Sequence, residues 1–178
     1  KTSGEDASQN EEEQVVNYVQ SPSEEVSVVG KRVGVITRRI DWVRMDRNIE
    51  AVVVSDGCCN EEEFGLFDVS EMVNLRELRV GNECFMHVKK VSVCNLEKLK
   101  WIRIGSYSFT KEKEKSYSEN DGQFYFRNCP RMSELRIGYR SFSDYSVCAI
   151  EDVDALETIE IGGMTEWSSN FWAAPLEL

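Results

Sequence analysis

Leu99–Phe109 reads LKWIRIGSYSF, and the chain writes the same pattern again on either side of it. As a template it is apolar-x-x-apolar-x-(Val/Ile)-Gly-x-x-small-aromatic, and it recurs at Leu75–Phe85 (LRELRVGNECF) and Met132–Phe142 (MSELRIGYRSF). A looser copy starts at Leu156 (LETIEIGGMTEW), and a glycine-free forerunner starts at Ile49 (IEAVVVS). The starts lie 24 residues apart from 75 to 99, 33 from 99 to 132 and 24 from 132 to 156. Repetition at that period predicts an array of stacked units, because each unit leaves apolar surface that only a neighbour covers.

A second half of the unit is as regular as the first. Eight residues before each template start sits an apolar-x-apolar pair: Phe67/Val69, Val91/Val93, Phe124/Phe126 and Cys148/Ile150. Alternation over so few residues predicts a short strand with one buried face. The expected fold is therefore a mainly β solenoid, with coils of about 24 residues, two short strands in each and little helix. Gly81, Gly105, Gly138 and Gly162 close the first strand of their units, where positive-φ turn residues are expected. Phe85, Phe109 and Phe142, four residues further on, are expected to turn back into the core. Asn95, Asn128 and Asp152 follow the second strand, where a short amide or carboxylate can bond turn backbone.

Outward from the repeats, residues 1–25 are acidic and rich in Ser and Gln, and predict a disordered tail. Residues 26–48 carry β-branched runs, Val26–Val35 and Ile40–Met45, and are expected to form N-terminal cap strands. The array then fills 49–178, in units starting near 49, 75, 99, 132 and 156. The excess length of the third unit falls in residues 110–123, which are charged and aperiodic and predict a surface loop. The chain stops at Leu176–Leu178, where a second strand belongs. The array is thus expected to be truncated there and to self-associate through its open C-terminal repeat.

Composition narrows the function classes. The formal charge is −11, of which residues 1–25 carry −6, with Lys1 against seven acids, and the remaining 153 residues carry −5. With no basic excess to displace counterions from phosphate, nucleic-acid binding is not expected. No apolar run approaches the roughly 18–20 residues of a membrane span, so membrane insertion is not expected either. Six cysteines show no C-x-x-C spacing, and His87 is the single histidine. Neither a metal site nor a cofactor is therefore predicted. Cys84 falls where Ser108 and Ser141 stand in sister units, Cys129 where Leu96 and Val153 stand, and Cys148 where Val91 and Phe124 stand. These are packing positions for small reduced thiols. Cys58–Cys59 lies outside that register and is the candidate for redox or crosslinking chemistry.

The segments IGSYSF (104–109), NCPRM (128–132) and IGYRSF (137–142) resemble the leucine-rich repeats of the BspA-like type. The resemblance covers about residues 49–178. It departs from the family in carrying the family's cysteine only at Cys129 and in lacking the proline before Ile-Gly. What it implies is a curved, non-catalytic binding coil, often at cell surfaces. The reduced thiols point instead to the cytoplasm, so the compartment stays open.

In the first strands, the residues between the apolar positions face outward and align into ladders about 4.8 Å apart. One ladder is Arg79, Arg103, Arg136 and Glu160; a second is Arg76, Lys100, Ser133 and Glu157; a third is Glu77, Trp101, Glu134 and Thr158. A basic strip around an outward tryptophan is unexpected in so acidic a chain, and Arg and Trp are enriched at binding hot spots. Arg76, Arg79, Lys100, Trp101, Arg103 and Arg136 are accordingly the candidate partner-binding residues, for a protein or acidic glycan ligand. Two other readings stand beside this one. Glu77 and Glu134 would neutralise the ladder and leave an ordinary solvated face, or the acidic tail would fold back over it.

No phosphate loop, nucleophile elbow or H-E-x-x-H motif is present, so no catalytic residue is assigned and no enzyme is expected. His87, between Met86 and Val88, is expected in a turn. Asp56 and Glu61–Glu63 form an acidic run without calcium-loop spacing. The sequence thus predicts a non-catalytic recognition or adhesion scaffold. The alternative is a regulatory or targeting module of a larger, multidomain protein.

Overall fold

A computed structural model describes residues 31–111, 121–163, 169–171 and 174–177. The expected disordered tail, the Val26/Val28 strand, residues 112–120 of the expected loop and the end of the fourth copy (164–168) lie outside the described residues. The elements are β1 (Val33–Ile36), α1 (Arg39–Arg44), β2 (Ala51–Val54), β3 (Leu66–Asp68), β4 (Glu77–Val80) and β5 (Lys90–Cys94), then β6 (Trp101–Ile104), β7 (Gly122–Arg127), β8 (Glu134–Ile137), β9 (Tyr145–Glu151), β10 (Thr158–Ile161) and β11 (Leu176–Glu177).

The strands form two sheets, one of six in the order β1-β2-β4-β6-β8-β10 and one of five in the order β11-β9-β7-β5-β3. Every pairing is parallel. The expected leucine-rich-repeat solenoid is corrected by this arrangement. The described chain is two parallel sheets and a little helix, it closes no barrel, and two parallel sheets do not define a solenoid. The physical reason lies in what a period-2 pattern encodes. It says which side chains of a strand face inward and which neighbours they meet, and it is silent on how successive strands wind in space.

Inward side chains of both sheets meet in one core. Val52, Leu78, Ile102 and Leu135 are in register across the first sheet, and Phe67, Val91, Phe124 and Cys148 across the second, all of them buried. Parallel sheets are commonly covered on both faces. In this protein the alternate residues of β6 and β8 remain partly or fully exposed, so the six-stranded sheet has an open outer face.

Two local expectations about the strands are also corrected. Ile40–Met45 is not a strand: Arg39–Arg44 is a helix, and Asp41 Oδ2 accepts from the backbone N–H of Thr37 and of Arg38 at 3.0 Å each. That carboxylate satisfies donors which the start of a helix leaves unpaired. Trp42 then stacks on Phe67 at 4.8 Å, beside the β3 edge of the second sheet. Residues 122 and 123, expected in the loop, open β7.

The glycines differ as well. Among the described glycines, only Gly57 and Gly162 have positive φ, so the expected turn conformation is found at Gly162 and not at Gly81, Gly105 or Gly138. Gly105 is required by close approach: a Cβ there would lie 2.6 Å from the carbonyl of Gly81, and one on Gly138 would lie 2.5 Å from the carbonyl carbon of Gly105. Positive φ falls instead on Tyr107 and Arg140, and on Phe85, Phe109 and Phe142 themselves.

Those phenylalanines form a buried column. Successive ring centroids lie 4.9 Å apart for Phe85–Phe109, 4.8 Å for Phe109–Phe142 and 5.0 Å for Phe142–Phe171, with planes within 16° of parallel. A left-handed backbone costs an L-residue about 1–2 kcal/mol. Burying each phenyl ring contributes about 1.5–3 kcal/mol, which offsets that cost. Beside the column runs a chain of buried hydrogen bonds. Ser108 Oγ donates to Gly81 O at 2.8 Å and accepts from the Cys84 N–H at 3.1 Å. Ser141 Oγ repeats both contacts one strand on, with Gly105 O and the Ser108 N–H. At the other turn, Asn95, Asn128 and Asp152 adopt positive φ, and Asn128 Nδ2 donates to Asn95 Oδ1 at 2.9 Å. That amide bonds its counterpart in the preceding unit, where a bond to its own turn was expected.

Candidate recognition face

The outer face of the six-stranded sheet is built by register. Val35, Val53, Arg79, Arg103, Arg136 and Glu160 stand opposite one another across the six strands. The adjacent row is Val33, Ala51, Glu77, Trp101, Glu134 and Thr158. Arg76 and Lys100 sit where the chain enters β4 and β6, linked by the Lys100 N–H donating to Arg76 O at 2.8 Å. All six sequence-predicted binding residues therefore lie on this face, five of them on strands or entrances of β4 and β6 and Arg136 on β8.

Like charges at strand spacing repel unless something intervenes. Glu134 intervenes at one end: its Oε1 accepts from Arg103 Nε at 2.8 Å and lies 3.1 Å from Arg136 Nε, with Glu160 3.6 Å from the same Arg136 nitrogen. The Arg103 guanidinium also lies over the Trp101 ring, 5.0 Å from its centroid. The ladder is thus partly neutralised, and by Glu134 alone of the two expected glutamates. Glu77, 8% exposed, is ion-paired with Lys31. Among the described residues, Arg76, Arg79 and Lys100 have no ion-pair partner. The face therefore divides into a compensated half around Glu134 and an uncompensated cationic half beside Trp101.

The remaining candidates are structural in their settings. His87 lies half-buried in the turn between β4 and β5. Asp56 Oδ1 accepts from the Asn82 N–H at 2.8 Å, which makes it a turn support, while Glu61–Glu63 are exposed. Among the described residues no group of three or more His, Cys, Asp or Glu side chains is placed to hold a metal. No helix among them is long and apolar enough to cross a membrane. Cys58 and Cys59 are buried free thiols; the Cys58 thiol donates to Thr37 O at 3.0 Å. Burial pushes the Cys59 thiol up to about 12, away from the thiolate that redox exchange needs.

Sequence reasoning missed a second aromatic and cationic patch. On the outer face of the five-stranded sheet, Lys90 Nζ and Arg127 Cζ lie 5.6 and 4.8 Å from the centroid of Tyr125. The signal was present in GQFYFR, where Tyr125 occupies the outward position between two inward phenylalanines. Comparison of the chain with protein families, curated proteins and solved structures finds no match, and so assigns it to no family.

Proposed function

We propose that this chain is a non-catalytic recognition module and that the outer face of its six-stranded sheet takes an acidic protein segment. One observation carries the reading: Arg76, Arg79 and Lys100 flank Trp101 without an ion-pair partner among the described residues. Uncompensated cations raise the local concentration of an acidic ligand and steer its approach. Trp101 supplies the rigid apolar area that anchors such contacts. Arg103 and Arg136, already shared with Glu134 and Glu160, contribute less than the sequence alone suggested.

The test is titration with a Glu-rich peptide at low and high salt. Wild type is compared with Arg76→Glu/Arg79→Glu/Lys100→Glu and with Trp101→Ala, each checked for fold by circular dichroism. Salt-sensitive binding is expected, weakened in the charge variant and weakened roughly 30-fold in Trp101→Ala, the loss of about 2 kcal/mol at a hot-spot tryptophan. Equal affinity of wild type and the folded charge variant would sink the reading.

A further inference from the structure

The two edges of the six-stranded sheet are opposite in charge and continuous in hydrogen-bond pattern. From Lys31 to Arg47 the chain carries six cations against two acids, whereas from Asp152 to Ile161 it carries four acids and no cation. The first stretch contains edge strand β1 and the second contains edge strand β10. The sheet thus has a basic margin and an acidic margin, although the chain as a whole is acidic.

Each edge also leaves apolar side chains in water. Ile159 occupies the inward row beside Leu135, yet it is 42% exposed, and among the described residues no strand follows β10 in that sheet. At the opposite margin Val35 of β1 is 59% exposed. An unpaired strand edge with exposed apolar residues is a template for another strand.

The backbone supplies a register. The residue entering each later strand donates its N–H to the carbonyl of the residue entering the strand before: Glu50 to Arg32 at 2.8 Å, Arg76 to Glu50 at 2.7 Å, Lys100 to Arg76 at 2.8 Å, Ser133 to Lys100 at 2.8 Å and Glu157 to Ser133 at 3.0 Å. Among the described residues the series begins with the N–H of Arg32 and ends with the carbonyl of Glu157. The two ends are a donor and an acceptor, and their side chains are opposite in charge. Among the described residues the Arg32 side chain is tied to the neutral Asn48, its Nη2 donating at 3.3 Å.

We propose that a second copy of this chain docks head to tail, its β1 adding in parallel beside β10 of the first, with Arg32 of one copy against Glu157 of the other. The added strand covers Ile159 and continues the sheet at the same spacing of about 4.8 Å. Because the two surfaces differ, the contact is heterologous and leaves each added copy with a margin for the next, building a ring or a filament and not a two-fold dimer. It uses the sheet margins and leaves the outer face free, so it stands or falls apart from the recognition reading.

The test is sedimentation velocity of the full chain over a concentration series at low and high salt. Wild type, Glu157→Arg, Arg32→Glu and an equimolar mixture of the two variants are compared. Mean mass that grows with concentration, falls with salt, returns to the monomer in each single variant and recovers in the mixture supports the proposal. Recovery shows that Arg32 meets Glu157 across the contact, since in the mixture each reversed margin meets a complementary one. Growth past the dimer shows that the contact is heterologous, whereas a closed dimer would overturn the head-to-tail arrangement. Ile159→Lys is expected to abolish growth as well. A monomer throughout, or association that the single charge reversals leave unchanged, overturns the proposal.

Discussion

Phe109 and Phe142 stack with ring centroids 4.8 Å apart and planes 5° from parallel, although both backbones lie in the left-handed region at φ 56° and 60°. The strained turns are held by the ring column they create, and Phe109 is one of its two inner rings, touching Phe85, Phe67 and Phe142. Phe109→Ala is expected to lower stability by about 3–5 kcal/mol in urea unfolding, the cost of a large buried cavity. A loss below about 1 kcal/mol, the level of an ordinary surface change, would show that the column is not the core of the fold.

Gly105 and Gly163 separate crowding from conformation. A Cβ on Gly105 meets backbone atoms of Gly81 and Asn82 at 2.6–2.7 Å, whereas one on Gly163 meets nothing within 4 Å. Gly105→Ala is expected to destabilise by about 1–3 kcal/mol or more, because backbone cannot yield as a side chain does. Gly163→Ala is expected to stay within about 0.5 kcal/mol of wild type. Thermal unfolding of the two variants makes the comparison, and equal midpoints would refute the close-approach account.

Glu134 holds two guanidinium groups, Arg103 and Arg136, on an otherwise open face. Glu134→Gln is expected to cost no more than about 1 kcal/mol of stability, as partly exposed ion pairs are weak. It is also expected to tighten binding of a Glu-rich peptide by removing a carboxylate that competes for both cations. Weaker binding by this variant would assign Glu134 a positioning role in place of a competing one.

The buried thiols predict an alkaline limit. Burial pushes Cys84 and Cys129 up to about 11 and Cys59 and Cys148 up to about 12, from an ordinary value of 9.0. The unfolded chain therefore loses these protons first. Their contribution is complete below pH 9, and stability falls as pH rises from there through 11–12, by up to about 1.4 kcal/mol per pH unit for each thiol. Cys148→Ala is expected to flatten that decline relative to its own neutral-pH stability. At pH 7–8 a thiol reagent is expected to modify the half-buried Cys94 well before the other five. Early modification of Cys58 or Cys59 would contradict the packing described for them.

Legibility from sequence followed the range of each interaction. The outward ladder Arg79, Arg103, Arg136 and Glu160 could be written down from spacing, because strand periodicity of two decides which neighbours share a face. Its charge state could not. Glu134 reaches one strand across to Arg103, while Glu77 turns to Lys31, 46 residues away in the chain. Ile40–Met45 read as strand from its composition, yet Asp41 and the Phe67 ring made it helical, and short segments yield to tertiary context in this way.

What the amino-acid sequence determined by itself was local: the strands, their inward and outward residues, the core phenylalanines and the repeated slots shared by Cys84, Ser108 and Ser141. These follow from steric periodicity and apolar burial, which act within a few residues of chain. Only the tertiary structure decided how the strands divide into two parallel sheets and why glycine stands at position 105. It also decided which cations stay uncompensated, and that the sheet ends in a basic and an acidic margin. Each of those depends on distances between segments far apart in the chain, and no local pattern encodes such distances.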